Sequence, residues 1–315
     1  MCAPVSLRGP TVGNLRASAE TTRSAVGAHL SVEHVSKTYV AHRGARAARP
    51  AVLDVSFEIA PGASVGLVGA SGSGKSTLAK MIIGAERPTS GAIHYGDLAI
   101  ERIRRRELRA LHRRVQMVFQ DPYGALNPMH TVEYVLSRPC INFLGLSRTA
   151  ASVRTQELLE AVGLVPTAQF AKKLPHQLSG GQRQRVVIAR ALAAEPDLII
   201  ADEPVSMLDV SMRAGILKLL ATLREERNIS LLYITHDLLS ARVITDQILV
   251  LNEGQVVERG ETKHVLQHPT HEYTMRLLDA VTTSALRTTE SGLPESDECA
   301  MATSDESARV QPGAL

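Results

Sequence analysis

Gly69-Ala70-Ser71-Gly72-Ser73-Gly74-Lys75-Ser76-Thr77 sets two glycines, Gly69 and Gly74, with four residues between them and follows the second with Lys, Ser and Thr. This is the phosphate-loop pattern, which needs a strand before it and a helix after it. Ser64-Val65-Gly66-Leu67-Val68 predicts the short apolar strand, and Leu78-Ala79-Lys80-Met81-Ile82-Ile83 predicts the helix. Gly69, Gly72 and Gly74 allow backbone angles closed to other residues and leave no side chain to block close approach. Successive N–H groups can then wrap a polyphosphate, with the positive end of the following helix aimed at it. Lys75 is placed to reach the β- and γ-phosphates and Ser76 to ligate Mg²⁺. Ser71 and Thr77 complete the candidate nucleotide-binding set. A glycine-rich turn matching by chance would not require this strand and helix around it.

The chain has 315 residues, enough for one large domain or two ordinary ones. It is 44% hydrophobic and 21% charged, the ordinary balance of a soluble chain. No run approaches the roughly 18 consecutive apolar residues that cross a bilayer. Arg8 and Arg16 precede no apolar core of the secretion-signal kind, so a cytosolic location is expected. Cys2, Cys140 and Cys299 lie far apart and suggest neither a disulfide framework nor a metal site. A net charge of +3, no Trp and 3% aromatic residues argue against a nucleic-acid partner. Seven arginines fall between 101 and 114: Arg102, Arg104, Arg105, Arg106, Arg109, Arg113 and Arg114. Ile103, Leu108 and Leu111 are spaced as one buried stripe, which favours a solvated helix over an anion-binding surface.

Residues 1–28 lack periodicity and read as a disordered arm, and 41–50 as an exposed loop. Strands are expected over Leu30–Tyr39, Val52–Ile59 and about 91–100. From about 122 to 195 the character is helical, including an amphipathic stretch from Val153 to Val162 ended by Gly163 and Pro166. Leu198-Ile199-Ile200-Ala201 reads as a buried parallel strand. A helix over Ile216–Leu223 follows, then strands over Ser230–Ile234 and Gln247–Leu251, and a hairpin through Asn252-Glu253-Gly254 into Gln255–Glu258. The acidic, Ser/Thr-rich stretch from 282 to 315 reads as a disordered tail. Strands alternating with helices imply an α/β fold with a mainly parallel sheet.

Asp202-Glu203-Pro204 ends the apolar run. A carboxylate there is how phosphate-loop enzymes complete a Mg²⁺ site. Glu203 is the candidate base that polarises an attacking water. Leu178-Ser179-Gly180-Gly181-Gln182 opens a helical stretch and makes a second anion-binding helix end. A single phosphate loop with a second such end is most simply explained by head-to-tail pairing of two chains. An ordinary Ser-capped helix does not account for the two glycines and the glutamine in this order.

In these motifs the sequence resembles the ABC-type ATPases, the nucleotide-binding subunits of ATP-driven transporters, over about residues 29–281. The resemblance implies a P-loop NTPase core with a small antiparallel β subdomain and an inserted helical subdomain at about 122–195. It places the ATPase domain at 29–260. Gly69–Thr77 is similar to the Walker A loop, and Asp202 and Glu203 to Walker B and its catalytic carboxylate. Gln120, in Val118-Phe119-Gln120-Asp121-Pro122, is similar to the Q-loop glutamine that senses Mg²⁺ and the γ-phosphate. Ser179, Gly180, Gly181 and Gln182 are similar to the signature loop, which acts on the partner's nucleotide. Ser206-Met207-Leu208-Asp209 resembles the D-loop, with Met where Ala is commoner. His236 resembles the switch histidine, and Tyr39 stands where an aromatic ring faces adenine. The implied ligands are ATP and Mg²⁺, with Ser76, Gln120 and Asp202 at the metal. Taken singly, Gln120, His236, Asp209 and Tyr39 also read as surface, loop, capping and packing residues.

Finer features resemble the oligopeptide, dipeptide and nickel importers: Gln116–Tyr123, Leu126-Asn127-Pro128, Pro175-His176-Gln177, and Val265–Thr274 within a C-terminal extension at 261–281. That resemblance implies membrane permeases, a second ATPase subunit, identical or different, and an extracytoplasmic binding protein reached indirectly. The expected place is the cytoplasmic face of the membrane, as a peripheral protein. A soluble ABC ATPase acting on ribosomes or DNA, and an exporter subunit, are the competing readings.

Overall fold

Strand β3, Ser64–Val68, is buried at all its positions, as a central parallel strand covered on both faces must be. In the computed structural model, which describes residues 28–39 and 50–280, β3 lies between β8 (Ser230–Thr235) and β9 (Gln247–Asn252), parallel to both. Beyond β8 come β7 (Leu198–Asp202) and then β6 (Val115–Val118), again parallel. Antiparallel β10 (Gln255–Glu261) closes the other edge, giving the order β10-β9-β3-β8-β7-β6. A second, antiparallel sheet runs β2-β1-β4-β5, from β1 (Leu30–Thr38), β2 (Pro50–Ile59), β4 (Ser90–Tyr95) and β5 (Leu98–Ala99).

Side chains alternate across the main sheet and so divide the core in two. Val65, Leu67, Ile200, Leu232 and Ile234 face helix Lys75–Ile82 and the antiparallel sheet. Val68, Ile199, Ala201, Leu231 and Tyr233 face the opposite way, into a core that includes helices Gly180–Leu192 and Val210–Arg227. Between 122 and 192 run helices Pro122–Ala125, Val132–Leu144, Arg148–Ala161, Thr167–Lys172 and Gly180–Leu192. The arginine-rich stretch forms helix Arg105–Arg114, with Leu111 buried and Ile103 and Leu108 packed beside it. No helix among the described residues is long and apolar enough to cross a membrane.

Several details depart from the sequence reading, among them the helix expected over Ile216–Leu223, which runs from Val210 to Arg227. Strand β6 was not expected. The strand expected over 91–100 divides into β4 and β5, because Gly96 turns the chain with φ +55°. The helix expected from Val153 begins at Arg148, where the Ser147 hydroxyl accepts from the Ala150 N–H at 3.2 Å. Residues 1–27 of the expected arm, the acidic tail and nearly all of the 41–50 loop lie outside the described residues, whereas Ala28, read as the arm's last residue, is buried in the core.

After β10 the chain forms helix Thr262–Gln267 and a last helix over 272–280. Buried Glu258 ties the connection down. Its carboxylate accepts from the Thr270 N–H at 2.7 Å, the Thr270 hydroxyl at 2.9 Å and the His271 N–H at 3.2 Å. Burial works to raise this carboxyl, but the hydrogen bonds outweigh it and hold the pKa below the ordinary 4.5. A lowered pKa gives stability that is present above the ordinary value and lost as pH falls through the folded one. Glu258→Gln should therefore cost about 1.5–3 kcal/mol at neutral pH. Urea titrations should show the gap to the parent narrowing as the pH drops below 4.5.

Candidate functional site

The loop after β3 owes its course to glycines. A Cβ on Gly69 would stand 2.1 Å from the Leu251 carbonyl oxygen, and one on Gly74, at φ +108°, 2.2 Å from that of Ala51. Gly72, by contrast, faces open space. The Gly254 N–H donates to the Ser73 carbonyl at 3.0 Å, so the β9–β10 turn backs the loop. Lys75 begins the next helix and is only 5% exposed. Its ammonium donates to the Gly69 carbonyl at 2.7 Å and the Ala70 carbonyl at 2.8 Å. Burial lowers its pKa, while the charges of Glu203 and Asp202 work against that.

Adjacent parallel strands deliver the rest from their carboxyl ends, where open α/β sheets place ligands. Gln120 follows β6, Asp202 ends β7 with Glu203 next, and His236 follows β8. The Glu203 carboxylate joins these segments: one oxygen accepts from Gln120 Nε2 at 2.9 Å, and the other lies 3.1 Å from His236 Nδ1. Glu203 sits at φ +46°, a left-handed conformation that costs a non-glycine residue about 1–3 kcal/mol. Its N–H on the Ile234 carbonyl, at 2.8 Å, holds it there. Burial and the neighbouring Glu203 charge raise the Asp202 pKa, while a hydrogen bond with Ser76 and the Lys75 charge oppose them.

Together these groups line a cleft of about 1090 Å³, with Ser71, Gly72, Gly74 and Thr77 on one wall. A polyphosphate would meet there the loop amides, the Lys75 ammonium and bare backbone at Gly72. Ser76, Asp202 and Gln120 offer the hard oxygen atoms that Mg²⁺ prefers. Among the described residues no group of three or more His, Cys, Asp or Glu could hold a metal alone. A cation here would depend on substrate oxygens and water, the usual condition of Mg²⁺ beside phosphates.

Tyr39 does not line this cleft itself, but its hydroxyl hydrogen-bonds with Thr77, which does. Its ring is 46% exposed, its hydroxyl donates to Glu86 at 2.6 Å, and the Lys37 ammonium lies 5.2 Å from the ring centre. Ser179, Gly180, Gly181 and Gln182 stand at the start of helix Gly180–Leu192, also outside the cleft of their own chain. Ser179 is a true cap: its hydroxyl accepts from the Gln182 N–H at 3.3 Å, and Gln182 Oε1 accepts from the Ser179 N–H at 3.1 Å. Gly181 packs on Met212, whose Cε would lie 1.7 Å from an added Cβ. Asp209 precedes helix Val210–Arg227, but its side chain makes no capping hydrogen bond. Sequence reasoning missed Val210, Arg213, Leu239, Leu277 and Ala280 on the cleft wall, since only the folded chain brings them there.

The ABC transporter family profile matches residues 52–206. A Brucella abortus (strain 2308) protein, provisionally named as a peptide import ATP-binding protein, is 45% identical over 239 residues, covering 76% of this chain and 71% of its own. The oligopeptide transport ATP-binding protein OppF of Bacillus subtilis (strain 168) is 41% identical over 254 residues, covering 80% of this chain and 82% of its own. Among solved structures, the dimeric ATP-binding cassette MJ0796 with ADP and Pi aligns at a TM-score of 0.65 and 32% identity. It covers 74% of this chain and 98% of its own.

Ser179→Ala removes the cap and should cost about 0.5–2 kcal/mol of stability. Urea denaturation of the nucleotide-free protein checks this, separately from any effect on turnover.

Proposed function

As the chain belongs to the ABC transporter family and is one of its ATPases, we propose that it energises an importer of peptides or a related small solute. The observation that carries this reading is the Glu203 carboxylate, held between Gln120 and His236 at the mouth of the phosphate-loop cleft. In the proposed reaction the Glu203 carboxylate polarises a water and takes its proton. The water oxygen bonds to the γ-phosphorus as the bond to the β–γ bridging oxygen breaks. Lys75 and the loop amides stabilise charge on the phosphate oxygens, so catalysis is positioning and electrostatics. His236 and Gln120 keep the carboxylate aimed. Mg²⁺, held by Ser76, Asp202 and Gln120, would neutralise charge on the β- and γ-phosphate oxygens.

Two ATPase subunits would close head to tail, with ATP between the phosphate loop of one and Ser179–Gln182 of the other, and Asp209 at the join. The partner is the same chain or a second ATPase. Permeases would hold the pair at the cytoplasmic face of the membrane, with an extracytoplasmic binding protein supplying the solute. The kinship with peptide import and oligopeptide transport proteins supports the choice of cargo.

Glu203→Gln should keep ATP binding and the closed pair while phosphate release falls about 10²–10⁴-fold. Phosphate release and gel filtration with ATP read both, and normal turnover would show that Glu203 is not the base. A tagged pull-down from native membranes should recover two permeases and an ATPase partner. Recovery with ribosomes or DNA from the soluble fraction would leave the ATPase standing and overturn the transport role.

A further inference from the structure

The Ala70 N–H, in the first turn of the phosphate loop, donates to the Tyr273 hydroxyl at 2.9 Å, across 203 residues of sequence. Tyr273 lies in the helix over 272–280, and Leu277 and Ala280 of that helix line the same cleft as Lys75 and Glu203. We infer that Tyr273 is a positioning residue of the nucleotide site, and that this last helix is a wall of the site rather than an appendage.

The backbone that carries the Tyr273 ring is tied down. The Tyr273 N–H donates to His271 Nδ1 at 3.1 Å, and the His271 N–H donates to buried Glu258 at 3.2 Å. The ring packs with Leu277 and Leu278 against the core beneath the sheet. A rigid donor–acceptor pair therefore reaches the loop from a strand edge and a packed helix. On the loop side, the Gly69–Ala70 peptide that gives its N–H to Tyr273 also gives its carbonyl, that of Gly69, to Lys75 at 2.7 Å. A phosphate arriving in the cleft must draw the ammonium away from the Gly69 and Ala70 carbonyls. With its N–H pinned, the Gly69–Ala70 peptide keeps its orientation during that exchange. Without the hydroxyl, the N–H turns to water, and the loop must be ordered again at each binding event. Ordering before binding strengthens ground-state affinity. It is shared by substrate and transition state, so it acts on KM and leaves kcat in place.

This inference rests on the phosphate-loop reading of the site, and the test separates the two. Tyr273→Phe keeps the ring and removes only the hydroxyl. For the full chain with Mg²⁺, calorimetric titration of ADP should show Kd rising about three- to tenfold, the worth of one hydrogen bond. KM for ATP should follow while kcat stays within about twofold. The nucleotide-free melting temperature should stay within about 2 °C. Lys75→Ala should lose ADP binding altogether. If Lys75→Ala binds ADP as the parent does, the phosphate-loop reading fails. If Lys75→Ala loses ADP while Tyr273→Phe binds it as the parent does, the site stands and the role of Tyr273 is overturned. An affinity loss accompanied by a larger fall in melting temperature counts against positioning. Hydrogen exchange on the unaltered, nucleotide-free protein gives a check that needs no variant: the Ala70 amide should be protected, and free exchange there overturns the inference.

Discussion

A buried ammonium constrains everything around it. Lys75 is almost entirely removed from water, yet no carboxylate among the described residues pairs with it directly; backbone carbonyls of Gly69 and Ala70 hold it. Burying a charge is costly unless it is hydrogen-bonded. The loop must therefore curl back on its own lysine, and that curl is what the glycines make possible. Gly69 and Gly74 each bring backbone within 2.2 Å of where a Cβ would stand, so no other residue type fits the turn. The same curl leaves the opposite rim, at Gly72, open toward the cleft. Asp202 and Glu203 then supply the negative field that partly restores the lysine's charge.

The sheet turns this local constraint into a site. Parallel strands present their carboxyl ends side by side, so β3, β8, β7 and β6 deliver the loop, His236, the two carboxylates and Gln120 to one edge. Burial on both faces fixes the register of these strands. The left-handed turn at Glu203 is tolerable because a backbone hydrogen bond to β8 closes it. The strain aims the carboxylate across strand ends instead of along its own strand, which is how Gln120 and His236 reach it from either side.

Legibility in the sequence followed the range of the signal. β3 and β7 were readable because four or five apolar residues in a row admit few alternatives, and the loop between β3 and its helix because its spacing is local. β6 was not: Gln116 interrupts the apolar run, and an arginine-rich helix runs straight into it. Asp209 could have been a helix cap by pattern, and only the side-chain geometry denies it that bond. Ser179 has the cap that its pattern equally allowed. Tyr39 has the right local neighbourhood, and its hydroxyl joins both Glu86, 47 residues away, and Thr77 at the end of the phosphate loop. Tyr273 is the extreme case, since no periodicity announces a contact made across 203 residues.

The capping box at Ser179 bears on why this helix end suits a second chain. A helix leaves its first N–H groups without partners inside the helix. Here the reciprocal bonds of Ser179 and Gln182 satisfy two of them, at residues 179 and 182. The amides of Gly180 and Gly181 lie between and are given no partner among the described residues. The cap fixes the orientation of the helix end, and the glycines keep side chains away from the remaining donors. An anion would find two oriented N–H groups and the positive end of the helix dipole together. The chain's own cleft does not include these residues, so the anion that the proposed function sets there has to arrive with another subunit.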